Sequence, residues 1–112
     1  MSNTHIRSGG QVLVDQLILN KTEMIFFVPG ESYLDVLDAM HDKQEVLRSI
    51  NTRHEAGAAN MAEAYGKLTN KPGIAFVTRG PGACHASIGV HIAFLDSTQL
   101  YLKGNNRARQ KL

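Results

Sequence analysis

Between residues 10 and 20 the apolar side chains Leu13, Val14, Leu17 and Ile18 recur at i, i+1, i+4 and i+5, with Asp15, Gln16 and Asn20 among them. That spacing predicts an amphipathic helix. Residues 24–28 (Met-Ile-Phe-Phe-Val) are continuously apolar and rich in strand formers, and Pro29-Gly30 ends the run, as expected of a buried strand. Ser32 then stands as the N-cap of a second helix, with Tyr33, Val36, Leu37 and Met40 on one face and Asp35, Asp38 and Asp42 facing water. Further along, residues 47–51 read as a short second strand, 55–68 as a third helix, 73–78 as a third strand, 83–95 as a fourth helix and 99–103 as a fourth strand.

This α-β-α-β-α-β-α-β order, with connections of a few residues, predicts an α/β fold in which a parallel sheet carries helices on both faces. Internal repeats and low-complexity segments are absent. In open α/β sheets ligands sit beyond the carboxyl ends of the strands. The informative loops are therefore residues 29–32, 52–55 and 78–85, which all leave strand ends and should converge on one edge of the sheet.

Composition narrows the picture. The chain's 112 residues suit one compact core, and 43% hydrophobic with 20% charged residues argues against a disordered, collagen-like or disulfide-dense chain. The apolar run at 24–28 is far shorter than the roughly 20 residues of a bilayer-spanning helix, and residues 1–10 lack the apolar segment of a signal peptide. A cytoplasmic protein with no membrane partner is expected, and the single cysteine, Cys84, cannot form an internal disulfide. The net charge of +2 invites a nucleic-acid partner until it is located along the chain. Residues 1–102 carry a net charge of −2, whereas the last ten add +4 through Lys103, Arg107, Arg109 and Lys111. A basic tail follows a mildly acidic body, and no nucleic-acid partner is expected.

The third helix is poor in bulk: Ala56, Ala58, Ala59, Ala62 and Ala64 accompany Gly57 and Gly66. Alanine alone would suit helix propensity, but each interior glycine costs about 1 kcal/mol against alanine. Close packing against the protein's own sheet, a partner subunit or a flat ligand explains them better. Glu55 stands where the second strand meets this helix. It is either a first-turn acid favoured by the helix dipole or a carboxyl at a strand's carboxyl end, dry enough to carry a proton. The segment 78–85 resembles a phosphate loop, yet His85 stands where a dinucleotide fingerprint has Gly or Ala, and no Walker Gly-Lys-Ser/Thr follows. Pro81 between two glycines better suits a stiff loop offering backbone groups to a neutral ring. The histidines at 5, 41, 54, 85 and 91 and Cys84 show no metal-ligand spacing, so no metal site is expected.

Four segments together carry a resemblance. Phe27-Val-Pro-Gly-Glu-Ser-Tyr-Leu34, Arg53-His-Glu-Ala-Gly-Ala-Ala-Asn-Met-Ala-Glu-Ala-Tyr-Gly-Lys67, Phe76-Val-Thr-Arg-Gly-Pro-Gly-Ala83 and Gly89-Val-His-Ile-Ala-Phe-Leu-Asp-Ser-Thr98 run in uninterrupted order. From about Gly9 to Thr98 the chain closely resembles the N-terminal pyrimidine-binding domain of acetolactate synthase-like thiamine diphosphate enzymes. The resemblance implies that Glu55 hydrogen-bonds N1′ of the cofactor's aminopyrimidine. That contact favours the imino tautomer, whose 4′ nitrogen deprotonates thiazolium C2 to give the ylide that attacks a 2-keto acid. It further implies that Pro29, Gly30, Pro81, Gly82 and His85 lie beside the pyrimidine, and that chains pair as homo-oligomers with this domain facing the diphosphate-binding domain of the other subunit.

Three departures accompany the resemblance. The family usually reads Gly-Ala-Thr-Asn and Phe-Gln-Asp where this chain has Gly82-Ala-Cys-His85 and Phe94-Leu-Asp96. Beyond residue 98 the family continues through an apolar strand, whereas residues 99–112 become polar and basic. The resulting expectation is a polar segment at 1–8, an incomplete pyrimidine-binding domain at 9–98 and a divergent tail at 99–112 that arises from a shifted reading frame. The same expectation places the domain that holds Mg²⁺ and the diphosphate outside this chain and has the chain inactive alone. Two alternatives stay open: a non-catalytic module that dimerises or caps a full-length paralogue, and a nucleotide-binding α/β domain reading Gly80-Pro81-Gly82.

Overall fold

A computed structural model describes residues 6–105 of the chain. Helix α1 (Gly9–Leu19) leads to strand β1 (Met24–Phe27), a 3₁₀ turn (Glu31–Tyr33) and helix α2 (Leu34–Asp42). Strand β2 (Arg48–Asn51), helix α3 (Glu55–Thr69), strand β3 (Gly73–Thr78), helix α4 (Pro81–Asp96) and strand β4 (Leu100–Asn105) follow. The four strands form one parallel sheet in the order β2-β1-β3-β4. All their carboxyl ends therefore lie at one edge.

Alternation along the central strands explains how helices cover both faces, since neighbouring strand residues point to opposite sides. Ile25, Ile74 and Phe76 pack with Val14 of α1 and with Val36, Ala39 and Met40 of α2. Phe26, Ala75 and Val77 face the other way, where they meet Ala58, Ala59 and Ala62 of α3 and Ala86 of α4. The short side chains of α3 let it sit close to the sheet: a Cβ added to Gly73 would fall 1.8 Å from the Ala62 carbonyl oxygen. Gly89 of α4 presses on Ala59 in the same way, with an added Cβ only 2.4 Å from the Ala59 Cβ. Of the three surfaces expected to meet the small residues of α3, its own sheet meets Ala58 and Ala62, and α4, which was not among the three, meets Ala59.

Two boundaries differ from the sequence expectation in ways that matter for function. Helix α4 begins at Pro81 rather than at residue 83, because Pro81 occupies the first helical position, where its missing N–H is not needed, and Gly80 adopts φ +71° just before it. Pro81 and Gly82 are thus the first turn of a helix and not a stiff loop. Ser32 does not cap α2; a 3₁₀ turn intervenes, and the Ser32 hydroxyl hydrogen-bonds Thr78 Oγ1 at 2.8 Å instead. At the other end of the chain, β4 pairs with β3 over six residues, from Gly73–Leu100 to Thr78–Asn105, and so runs past residue 103. Residues 106–112 of the expected tail, and residues 1–5, lie outside the described residues.

Candidate functional site

The loops after β1, β2 and β3 converge at the carboxyl edge, with Thr78 at the centre. A Cβ added to Gly30 would lie 2.5 Å from Thr78 Cβ, and one added to Gly82 would lie 2.9 Å from Thr78 Cγ2. Glycine is required at both positions for this close approach, which brings the two Pro-Gly pairs, Pro29-Gly30 and Pro81-Gly82, to the same end of the sheet. Ser32 fastens the junction further, since its Oγ also accepts the Arg79 backbone N–H at 3.4 Å. Pro29 and Pro81 themselves are exposed.

Glu55 is set by the β2–α3 turn. The Thr52 backbone N–H donates to the Phe27 carbonyl at 2.8 Å, and its hydroxyl donates to the His54 carbonyl at 3.1 Å. His54 then caps α3, its Nδ1 accepting the Ala56 N–H at 3.0 Å. This leaves Glu55 as the first helical residue, its side chain only 14% exposed. Oε1 lies 3.2 Å from His85 Nδ1, and Oε2 would lie 3.5 Å from a Cβ on Gly82. The His85 side chain is 55% exposed, and its ring stacks on that of His54 with centroids 4.9 Å apart.

Tyr33 closes the site from below. Its hydroxyl donates to the Val28 carbonyl, with the Phe76 carbonyl at 3.4 Å, and its ring meets Phe76 edge-on at 5.9 Å. Burial, and secondarily the Glu55 carboxylate, push the Tyr33 phenol well above its usual range. It remains a neutral donor at any physiological pH.

Of the residues singled out from sequence, Gly30, Glu55, Gly82 and His85 form one connected cluster. Thr78, Tyr33 and His54 were not singled out as site residues. Thr78 had a visible signal, as the last strand residue before Arg79-Gly80-Pro81-Gly82, whereas the stacking of His54 on His85 links residues 31 positions apart and has no local signature. His54, Glu55 and His85 also each place one donor atom within 4.8 Å of the others. Linear spacing cannot register this cluster, because its histidines come from two different helix starts.

The chain matches the family described as thiamine pyrophosphate enzyme, N-terminal TPP binding domain, over residues 7–111. It is 42% identical over 93 residues to the acetolactate synthase large subunit of Lactococcus lactis, covering 83% of this chain and 16% of that protein. To the acetolactate synthase large subunit of Cyanidium caldarium it is 34% identical over 100 residues, 88% of this chain and 17% of the relative. The acetolactate synthase of Bacillus subtilis shares 42% identity over 82 residues, 73% of this chain and 14% of the relative. The chain thus spans about one sixth of the length of these curated relatives. Among the described residues no helix is long and apolar enough to cross a membrane.

Proposed function

The chain belongs to the family of thiamine pyrophosphate enzyme N-terminal TPP-binding domains, and from that premise we propose that it is the pyrimidine-binding portion of an acetolactate synthase-like carboligase or decarboxylase acting on 2-keto acids. The carrying observation is Glu55: a largely shielded carboxyl at the carboxyl edge of a parallel sheet, one oxygen beside His85 and the other over Gly82. This arrangement fits a flat ring with a polar edge. Bulk is absent at two nearby positions, since Gly82 carries no Cβ and a Cβ at Gly57 would have only Thr52 Cβ in reach, at 4.0 Å, while His85 stands at Oε1.

Each residue then has a part. Glu55 hydrogen-bonds N1′ of the aminopyrimidine and shares the hydrogen that the imino tautomer carries there. Gly30, Gly82 and the exposed Pro29 and Pro81 shape the edge that receives the ring. Tyr33, locked neutral beneath the cluster, and Thr78, wedged between the two glycines, keep the floor rigid. When bound, the cofactor supplies the electron sink that a 2-keto acid needs on losing carbon dioxide. Mg²⁺ and the diphosphate would be held by a separate domain, without which these 112 residues would be inactive. A full-length paralogue in the cytoplasm would provide that domain.

Calorimetric titration with thiamine diphosphate and Mg²⁺, with and without a diphosphate-binding domain taken from a relative, tests this reading. Binding that appears on adding the domain and is lost in Glu55→Gln supports it. No binding in either setting, or binding untouched by Glu55→Gln, overturns it, and binding of NAD or ATP by the chain alone would favour a nucleotide-binding domain. A second reading, a non-catalytic module that docks on a paralogue, is favoured by the exposed Ile88, Phe94 and Leu95 of α4. Saturable association that is indifferent to the cofactor would single it out.

A further inference from the structure

The donor atoms of His54, Glu55 and His85 come from the starts of two helices and meet within 4.8 Å. We propose that this trio binds one divalent transition-metal ion of the zinc class, with Glu55 and His85 as the principal ligands and His54 as the third. Two imidazoles and one carboxylate suit such ions, whereas Mg²⁺ demands oxygen donors and keeps its waters. The inference goes beyond the cofactor reading and does not depend on it.

Geometry favours the principal pair. Ligand bonds of 2.0–2.1 Å in a tetrahedron put neighbouring donor atoms about 3.3 Å apart, and Glu55 Oε1 and His85 Nδ1 are 3.2 Å apart. An ion can therefore take the place of the hydrogen between them with little movement, releasing that hydrogen to solvent as a proton. His85 and His54 are exposed, which leaves the remaining coordination positions open to water. His54 is the weaker ligand for a physical reason: its Nδ1 lone pair already accepts the Ala56 N–H, so Nε2 of the neutral ring carries the hydrogen. Ligation by His54 requires giving up the helix cap. If Glu55 also serves the pyrimidine, an ion on its carboxylate excludes the cofactor's N1′, and metal and cofactor compete.

Titration of the 112-residue chain with Co²⁺, followed by visible absorption, tests the site without any cofactor. One Co²⁺ per chain with a low-coordinate d–d band is expected, displaced by Zn²⁺ and not by excess Mg²⁺. Affinity should fall about tenfold or more in His85→Asn and, separately, in Glu55→Gln, and less in His54→Gln. Far-UV circular dichroism of each variant confirms that the fold is retained. Substituting His5, His41 and His91 together by Asn, or Cys84 by Ser, should leave affinity unchanged. The proposal is overturned if no band develops, if either His85→Asn or Glu55→Gln retains wild-type affinity, or if Cys84→Ser abolishes binding.

Discussion

Thr78 meets the two glycines through different atoms, and this separates their substitutions. Gly30→Ala drives a methyl against Thr78 Cβ, while Gly82→Ala drives one against the Cγ2 methyl. Each should destabilise by about 1–3 kcal/mol in urea unfolding, the usual range for overpacking. Thr78→Ser removes only Cγ2 and retains the hydroxyl bonded to Ser32. It should therefore rescue most of the loss in Gly82→Ala and little of that in Gly30→Ala. Tyr33 gives a pH prediction: its phenol titrates higher in the folded chain than near 10, its ordinary value. Its contribution is thus intact below pH 10 and declines as pH rises beyond that, by at most about 1.4 kcal/mol per pH unit. Urea unfolding at pH 9, 10 and 11 should show a shallower alkaline decline in Tyr33→Phe than in the wild type.

Helices α3 and α4 meet where Gly89 packs on Ala59, whose Cβ and backbone carbonyl have no rotamer by which to turn aside. Gly89→Ala should cost about 1–3 kcal/mol or more, the same range as above. Because α4 carries His85 and α3 carries Glu55, it should also lengthen their 3.2 Å contact. Weaker Co²⁺ binding in a still-folded Gly89→Ala would report that shift. Among the described residues every α-helix and strand was legible in order and type, as where α1 and α2 carry helical apolar spacing and β1 and β3 are short apolar runs, but the 3₁₀ turn at Glu31–Tyr33 was not. The start of α4 was less legible. Gly80-Pro81-Gly82 reads locally as a loop, and only the positive φ of Gly80 with Pro81 at the first helical position turns it into a helix start.

Across the whole molecule, α4 exposes Ile88, Phe94 and Leu95, with Phe94 79% and Leu95 66% accessible. Apolar surface on several sides marks a helix suited to burial between two bodies. The chain should therefore associate as its concentration rises, and Phe94→Ser with Leu95→Gln should return it toward monomer in sedimentation velocity. At the helix's end, Lys67 bonds Asp96 at 2.6 Å, which raises the Lys67 pKa and ties α3 to α4. By itself the sequence determined the α/β class, the order of elements, the convergence of three loops at the strands' carboxyl ends and the candidacy of Glu55. These follow from local periodicity and from the rule that parallel strands share one carboxyl edge. Tertiary structure alone decided that Thr78 is the wedge behind both glycines, that Tyr33 is locked beneath them and that His54 and His85 stack beside Glu55. Apart from Thr78 with Gly82, the contacts among Gly30, Thr78, His54, Glu55 and His85 that cross between elements join residues 30 to 48 positions apart, and they arise from how closely small-residue helices settle on the sheet, a distance that no linear spacing encodes.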